Sequence, residues 1–189
     1  NMKYYILSYD YENDDEYIII TADNTAEKYN YDMLKGEKIE NWDENVMFEY
    51  SNDDGHIFTD YLASNNRWLV VSEKFRSLMG RIESDSIQYL DIKIRNSETN
   101  KINDTYKVAN VITILDALDL ENSKYDLFEL DDEKVLSVEK YALRKNMIGN
   151  KNIFKLKDDT IPIFVSEKFK NIVEENSLIG FQFLEVKVV

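Results

Sequence analysis

The 189-residue sequence predicts an α+β fold: mixed sheets, two related strand–helix–strand units at about 68–95 and 161–189, and an acidic N-terminal lobe. Three observations carry this reading. The pentapeptide "VSEKF" occurs at 71–75 and again at 165–169. Around it, 71–95 aligns without gaps to 165–189, with eight identities that include Gln88/Gln182, Leu90/Leu184 and Lys93/Lys187. The acidity is also lopsided: residues 1–64 hold 16 acidic and 4 basic side chains, whereas 65–189 hold 21 and 19. The expected organisation is an acidic lobe over 1–64 and a C-terminal lobe over 65–189, or one continuous domain 1–189.

Taken in order, "YYILSY" (4–9) and residues 16–21 read as two strands around an acidic turn, a hairpin. A short helix follows near 25–34, then a turn at Gly36. "VMFEYSNDDGHIFTDYL" reads as a strand, an Asp-Gly turn, and a second strand or short helix. Residues 97–105 are polar and form the clearest loop. In each repeat an apolar run enters, "WLVV" or "IPIFV", and Ser72 or Ser166 then stands where a helix begins. A serine hydroxyl there accepts from first-turn amides, and Glu73 or Glu167 suits the positive end of the helix dipole. Phe75, Leu78, Met79 and Ile82 fall at i, i+3, i+4 and i+7, and Phe169, Ile172 and Val173 repeat the stripe. A strand then alternates, with Leu90, Ile92 and Ile94 opposite Asp91 and Lys93, and Leu184, Val186 and Val188 opposite Glu185 and Lys187. The repeat is an internal duplication or convergence on one local structure. Ser72 and Lys74 are two apart and do not face each other on a helix, so VSEKF reads as architecture rather than a Ser–Lys pair.

Composition narrows the function. Asn1 ahead of Met2 reads as an addition before the natural start. The chain has no Cys, which removes thiolate chemistry and disulfides and fits a cytoplasmic location. No apolar run approaches the ~18 residues of a spanning helix, so no membrane role is expected. The net charge of −14 repels phosphate backbones and argues against nucleic acid. His56 is the only histidine and sits beside a turn in "NDDGHIF", so it supports neither a multi-histidine metal site nor a triad. The five glycines are scattered and form no phosphate loop. With Gly55 at loop position six, a calcium loop would need ligands at Tyr50 and Tyr61, and fails. No catalytic residue, metal or cofactor is therefore expected. Paired carboxylates keep a small hydrolase open as an alternative.

The stronger signal is on the surface. Acids alternate with aromatics through the first third of the chain. Tyr and Trp are common interface anchors, and carboxylates around them pair with Lys or Arg of a partner. The candidate partner-binding residues are Asp14, Asp15, Glu16, Trp42, Asp43, Glu44, Tyr50, Asp53 and Asp54.

Four pieces, "LKGEKIENW", "LVVSEKFRSLM", "ITILDALDLENSKYD" and "IFKLKD…IPIFVSEKFKNIVEENSLIGFQF", resemble in this order the bacterial immunity proteins of polymorphic toxin systems, immunity family eleven. The resemblance runs from about Tyr31 to Phe183. It implies a non-catalytic inhibitor that binds the C-terminal domain of a cognate toxin; the acidity of residues 1–64, read by itself, suits a basic surface on that domain. It assigns no contact residue. A non-catalytic adaptor without a toxin partner is the other alternative, and the oligomeric state is open.

Overall fold

A computed structural model describes residues 1–12 and 15–189. Along the chain lie β1 (Tyr4–Tyr9), β2 (Ile19–Ala22), α1 (Asn24–Glu27), β3 (Met47–Tyr50), β4 (Tyr61–Ser64), β5 (Val70–Val71), α2 (Glu73–Met79), β6 (Ile87–Asp91), β7 (Lys93–Asn96), β8 (Ile102–Asn103) and β9 (Lys107–Val111). There follow β10 (Ile114–Leu115), β11 (Lys124–Leu130), β12 (Glu133–Lys140), β13 (Ala142–Leu143), β14 (Ile153–Leu156), β15 (Asp159–Ser166), α3 (Glu167–Glu175) and β16 (Phe181–Val188). The α+β reading roughly fits, but the balance is further towards β: three short α-helices and three single-turn 3-10 helices among the described residues, with the rest of the regular structure in curled sheets.

A six-stranded sheet has the order β10-β14-β15-β1-β16-β13, and an eight-stranded sheet the order β6-β9-β5-β4-β2-β3-β7-β8. Five neighbours recur with the same senses. The runs β10-β14-β15-β1-β16 and β2-β4-β5-β9-β6 each begin with a parallel pair and continue with three antiparallel ones. In the eight-stranded sheet the strand between the helix-flanking pair is β9, which follows in sequence. In the six-stranded sheet it is β1, which comes from the opposite end of the chain. Tyr4 to Tyr9 pair with Val186 to Phe181 on one side, and Tyr4 to Leu7 with Ser166 to Ile163 on the other.

That placement overturns the expected 4–9/16–21 hairpin. β1 carries apolar residues on both faces: Tyr5, Leu7 and Tyr9 join the central core, while Tyr4 packs behind the sheet. A strand apolar on both faces is stable between two neighbours rather than at the edge of a hairpin. β2 instead pairs with β3 and β4. Residue 64 ends β4, whose next neighbour in sequence, β5, pairs with it antiparallel. The polar stretch 97–105 holds the short strand β8, paired to β7.

The two sheets face each other across one core. Tyr5, Leu7, Val165 and Ile153 meet Tyr61, Leu69, Val71 and Ala109, and α2 and α3 pack into the same cluster. Phe75 and Phe169 approach at 5.8 Å between ring centroids, and Phe181 stacks on Phe75 at 5.4 Å. A second cluster lies behind the eight-stranded sheet and a third behind the six-stranded one. The outer faces differ. Leu90 is buried under Tyr29, Met33 and Val46. Its counterpart Leu184 is 64% exposed, because no such segment crosses β16 there, so the predicted burial of Leu184 is corrected.

The helices start as the sequence predicts. Phe75 N donates to Ser72 Oγ (3.1 Å) and Phe169 N to Ser166 Oγ (3.2 Å). Each serine hydroxyl also donates sideways, Ser72 to Asp60 Oδ1 (2.8 Å) and Ser166 to Asn152 Oδ1 (2.6 Å). Each serine amide donates to the carbonyl of that same residue. Lys74 Nζ donates to Asn176 O (2.9 Å), which ties the first helix to the end of the second. Gly180 lies at φ +106 with Tyr61 O against its Cα, leaving no room for a side chain.

Ser166 is fully buried and Ser72 nearly so. Ser166→Ala should cost about 2 kcal/mol and Ser72→Ala about 1, since each removes a cap and strands a partner. Urea denaturation measures both. Unchanged midpoints would mean that the serines do not anchor the helices.

Candidate functional site

The acids singled out in the sequence fall into two surface regions. Asp15 and Glu16 are exposed and lie in the turn before Tyr17, while Asp14 lies outside the described residues. His56 N and Ile57 N both donate to Glu16 O (2.9 and 3.0 Å), and Tyr17 bridges Ile57. This brings the 15–17 turn against the segment that holds Asp53 and Asp54. Gly55 makes the approach possible: at φ +110, a Cβ there would stand 2.7 Å from the Tyr17 carbonyl. Asp54 is partly structural, because its carboxylate accepts from Ser51 N (2.8 Å) and closes a capping box. Asp53 is exposed on the same short turn. Glu16 lies 4.0 Å from His56 Nε2, an exposed pair of little energetic weight. Tyr50 packs edge-on against Phe58 at 5.5 Å.

Trp42, Asp43 and Glu44 occupy a different loop. The Trp42 ring lies 4.4 Å from Tyr29 and 6.0 Å from Trp68, and its Nε1 donates to Asp91 O (2.8 Å). It is half-buried and closes the core behind the eight-stranded sheet. Asp43 accepts from Asn45 N (2.8 Å) and faces Lys28 at 3.5 Å. The Asn45 amide, with Lys28 beside it, holds the Asp43 carboxyl below its usual range. Glu44 is exposed. Trp42 and Asp43 therefore organise their loop, and Glu44 stands exposed on it.

Sequence reasoning missed two further features. One is a cleft of about 480 Å³ between β1, β15 and the β5–β9 region, lined by Tyr9, Tyr11, Trp68, Asn110 and Lys155 among others, with no Asp or Glu among the described residues of its wall. Lys155 is 3% exposed, donates to Met33 O (3.1 Å), and makes no ion pair among the described residues. Burial pushes its pKa down to about 8. Asn110 donates to Glu37 O (2.8 Å) and Gln88 Oε1 (3.0 Å), while Gln88 exchanges two bonds with the Ile39 backbone. Asn110 and Lys155 thus clamp the 33–39 segment onto the sheets. The signal was a polar residue inside an apolar strand, in "IFKL" and "KVANV". The other missed feature is the hairpin β11–β12, a two-stranded sheet with every residue of β11 exposed. Its signal was alternation around Asp-Asp in "YDLFELDDEKVLSV". Among the described residues no group of three His, Cys, Asp or Glu is placed to hold a metal, and no helix is long and apolar enough to cross a membrane.

Lys155 gives a pH signature. Its folded pKa lies below the unfolded value of 10.5, so the fold disfavours its charge. The penalty is full below pH 8 and is relieved as pH rises from about 8 to 10.5. The wild type should therefore gain up to about 3 kcal/mol relative to Lys155→Met across that window. Chemical denaturation of both proteins at pH 7 and pH 10 measures the difference, and a constant gap would show that Lys155 is not desolvated.

No protein of curated function matches this chain. A profile of the immunity protein family (Imm11) matches residues 3–188, nearly the whole chain, in keeping with the order of motifs from "LKGEKIENW" to "GFQF". By that match, the chain belongs to the Imm11 immunity protein family.

Proposed function

We propose that this protein neutralises a cognate toxin domain by direct, stoichiometric binding. The observation that carries the reading is the family match over residues 3–188. The charge distribution supports it, because 16 acids stand against 4 bases in residues 1–64. The toxin domain then presents a basic surface, and the inhibitor occludes it. The exposed carboxylates of Asp15, Glu16, Glu44 and Asp53, with Asp14 beside them in sequence, supply a field that speeds encounter. Trp42, Asp43, Tyr50 and Asp54 hold the loops that carry them. The inhibitor needs no cofactor and makes no bond, so its action is binding alone. It acts in the cytoplasm of the cell that makes the toxin, before export.

The test is protection. The C-terminal domain encoded by the gene immediately upstream is expressed in a susceptible bacterium with and without this protein. Killing by the domain alone, survival in company and one-to-one co-purification are expected. A harmless domain, or killing in both cases, overturns the reading. Steering makes a second outcome measurable. Raising salt from 50 to 500 mM should slow association about tenfold or more. Replacing Asp14, Asp15 and Glu16 together by Ala should weaken binding and flatten that salt dependence, with the melting temperature within about 2 °C. Unchanged affinity in the triple variant would remove residues 14–16 from the interface.

A further inference from the structure

The hairpin β11–β12 stands largely apart from the two sheets that carry the core. Its two strands pair only with each other among the described residues, so both outer edges offer free N–H and C=O groups. An isolated two-stranded hairpin is at best marginally stable in water. Support is confined to one end and one strand. Ser123 Oγ accepts from Ala142 N (2.9 Å) and donates to Asp119 O (2.5 Å), closing the base. Lys124 pairs with Glu139 at 3.0 Å, and Leu136 and Val138 lean on the cluster behind the six-stranded sheet.

The rest stands in solvent. Leu127, Phe128 and Leu130 are 61%, 47% and 59% exposed. Leu127 pairs with Leu136 and Phe128 with Val135, so successive apolar pairs lie on opposite faces. Residues 126–133 add five carboxylates and no base. The tip turns on Asp131 (φ 51) and Asp132 (φ 65), the tight two-residue connection that fits strand twist and that Asp tolerates better than most residues. An acidic, two-faced apolar finger with open edges is costly to leave in water.

We propose, on the toxin-neutralising reading above, that this hairpin is the docking element. It adds a free edge to an extended segment of the toxin domain whose side chains alternate between apolar and Lys or Arg. Main-chain bonds would supply affinity, and the five carboxylates and three apolar residues would select the partner. A second copy of this chain is the wrong occupant, because pairing two tips would set five carboxylates against five on a chain already at −14.

The experiment uses the full-length protein and the purified domain encoded immediately upstream, by titration calorimetry and size-exclusion chromatography. Replacing Leu127, Phe128 and Leu130 together by Ser should raise Kd about 100-fold or more, while the melting temperature holds because all three are exposed. A second variant, Asp126→Lys with Glu133→Lys, leaves the apolar residues intact and should also weaken binding, through slower association. If both variants bind within about threefold of wild type, the toxin docks elsewhere and the inference falls, while the neutralising reading stands. If the wild type itself binds nothing, both fall. A wild-type dimer that the triple Ser variant dissociates would make the hairpin a self-association element and overturn the proposal.

Discussion

The antiparallel seat of β1 between β15 and β16 is the contact on which the rest of the molecule depends. Six residues near the N-terminus close a sheet whose other members lie in the last 76 positions of the sequence. Without β1, β15 and β16 have no common neighbour, and the central core loses Tyr5, Leu7 and Tyr9. The residue just before β1 anchors the start of α3: Lys3 O accepts from Glu167 N (2.9 Å), and Lys3 N donates to Glu167 Oε1 (2.9 Å). Loop-closure entropy must be met before such a distant pairing returns anything, so the six-stranded sheet is the late and slow part of folding.

The capping serines transmit that order between the sheets. Each Ser-Glu-Lys-Phe segment ends a strand, caps a helix and delivers a phenylalanine to the shared core. Phe75, Phe169 and Phe181 then meet across the interface. Asp60 binds the first serine and also accepts from Ile179 N (2.9 Å), in the loop that follows the second helix. One carboxylate thus connects the first repeat to the exit of the second. The buried end of this network, at Ser72, is the costly one to disturb, because removing the hydroxyl leaves another polar group unpaired.

The surface follows a different logic from the core. Acids near Gly55 and in the 41–45 loop are held by short-range caps and turns, which fix backbone and leave several carboxylates facing water. The hairpin β11–β12 combines acid with exposed apolar area, which is the mixture expected of a surface that becomes buried only in a complex. The buried Lys155 sits on the opposite principle. Among the described residues it is a cation without a carboxylate, held to Met33 O so that a loop can close over the sheets.

Much of this was legible from residues alone. The repeated pentapeptide announced two helix starts, because a serine before an acidic first turn has one favourable use there. The period of 3.6 in Phe75, Leu78 and Met79 placed the buried stripe, since helix geometry is local. The skewed charge and the ordered motifs pointed to an inhibitor of the immunity class. What no local pattern contains is partnership between strands. "YYILSY" spells a strand but does not say that its neighbours are the last two strands of the chain. Leu90 and Leu184 are the same letter at the same place in a repeat, yet one is buried and the other open, because a segment from residues 29–46 crosses only the first. Trp42 reads as an anchor for a partner, and no local pattern says that its ring also packs on Tyr29 and Trp68, which reach it from elsewhere. Sequence determined the two capped helices, the first strand and the charge, which depend on neighbours within a turn or two. Tertiary structure alone decided which faces are covered, because coverage is set by segments brought from far along the chain.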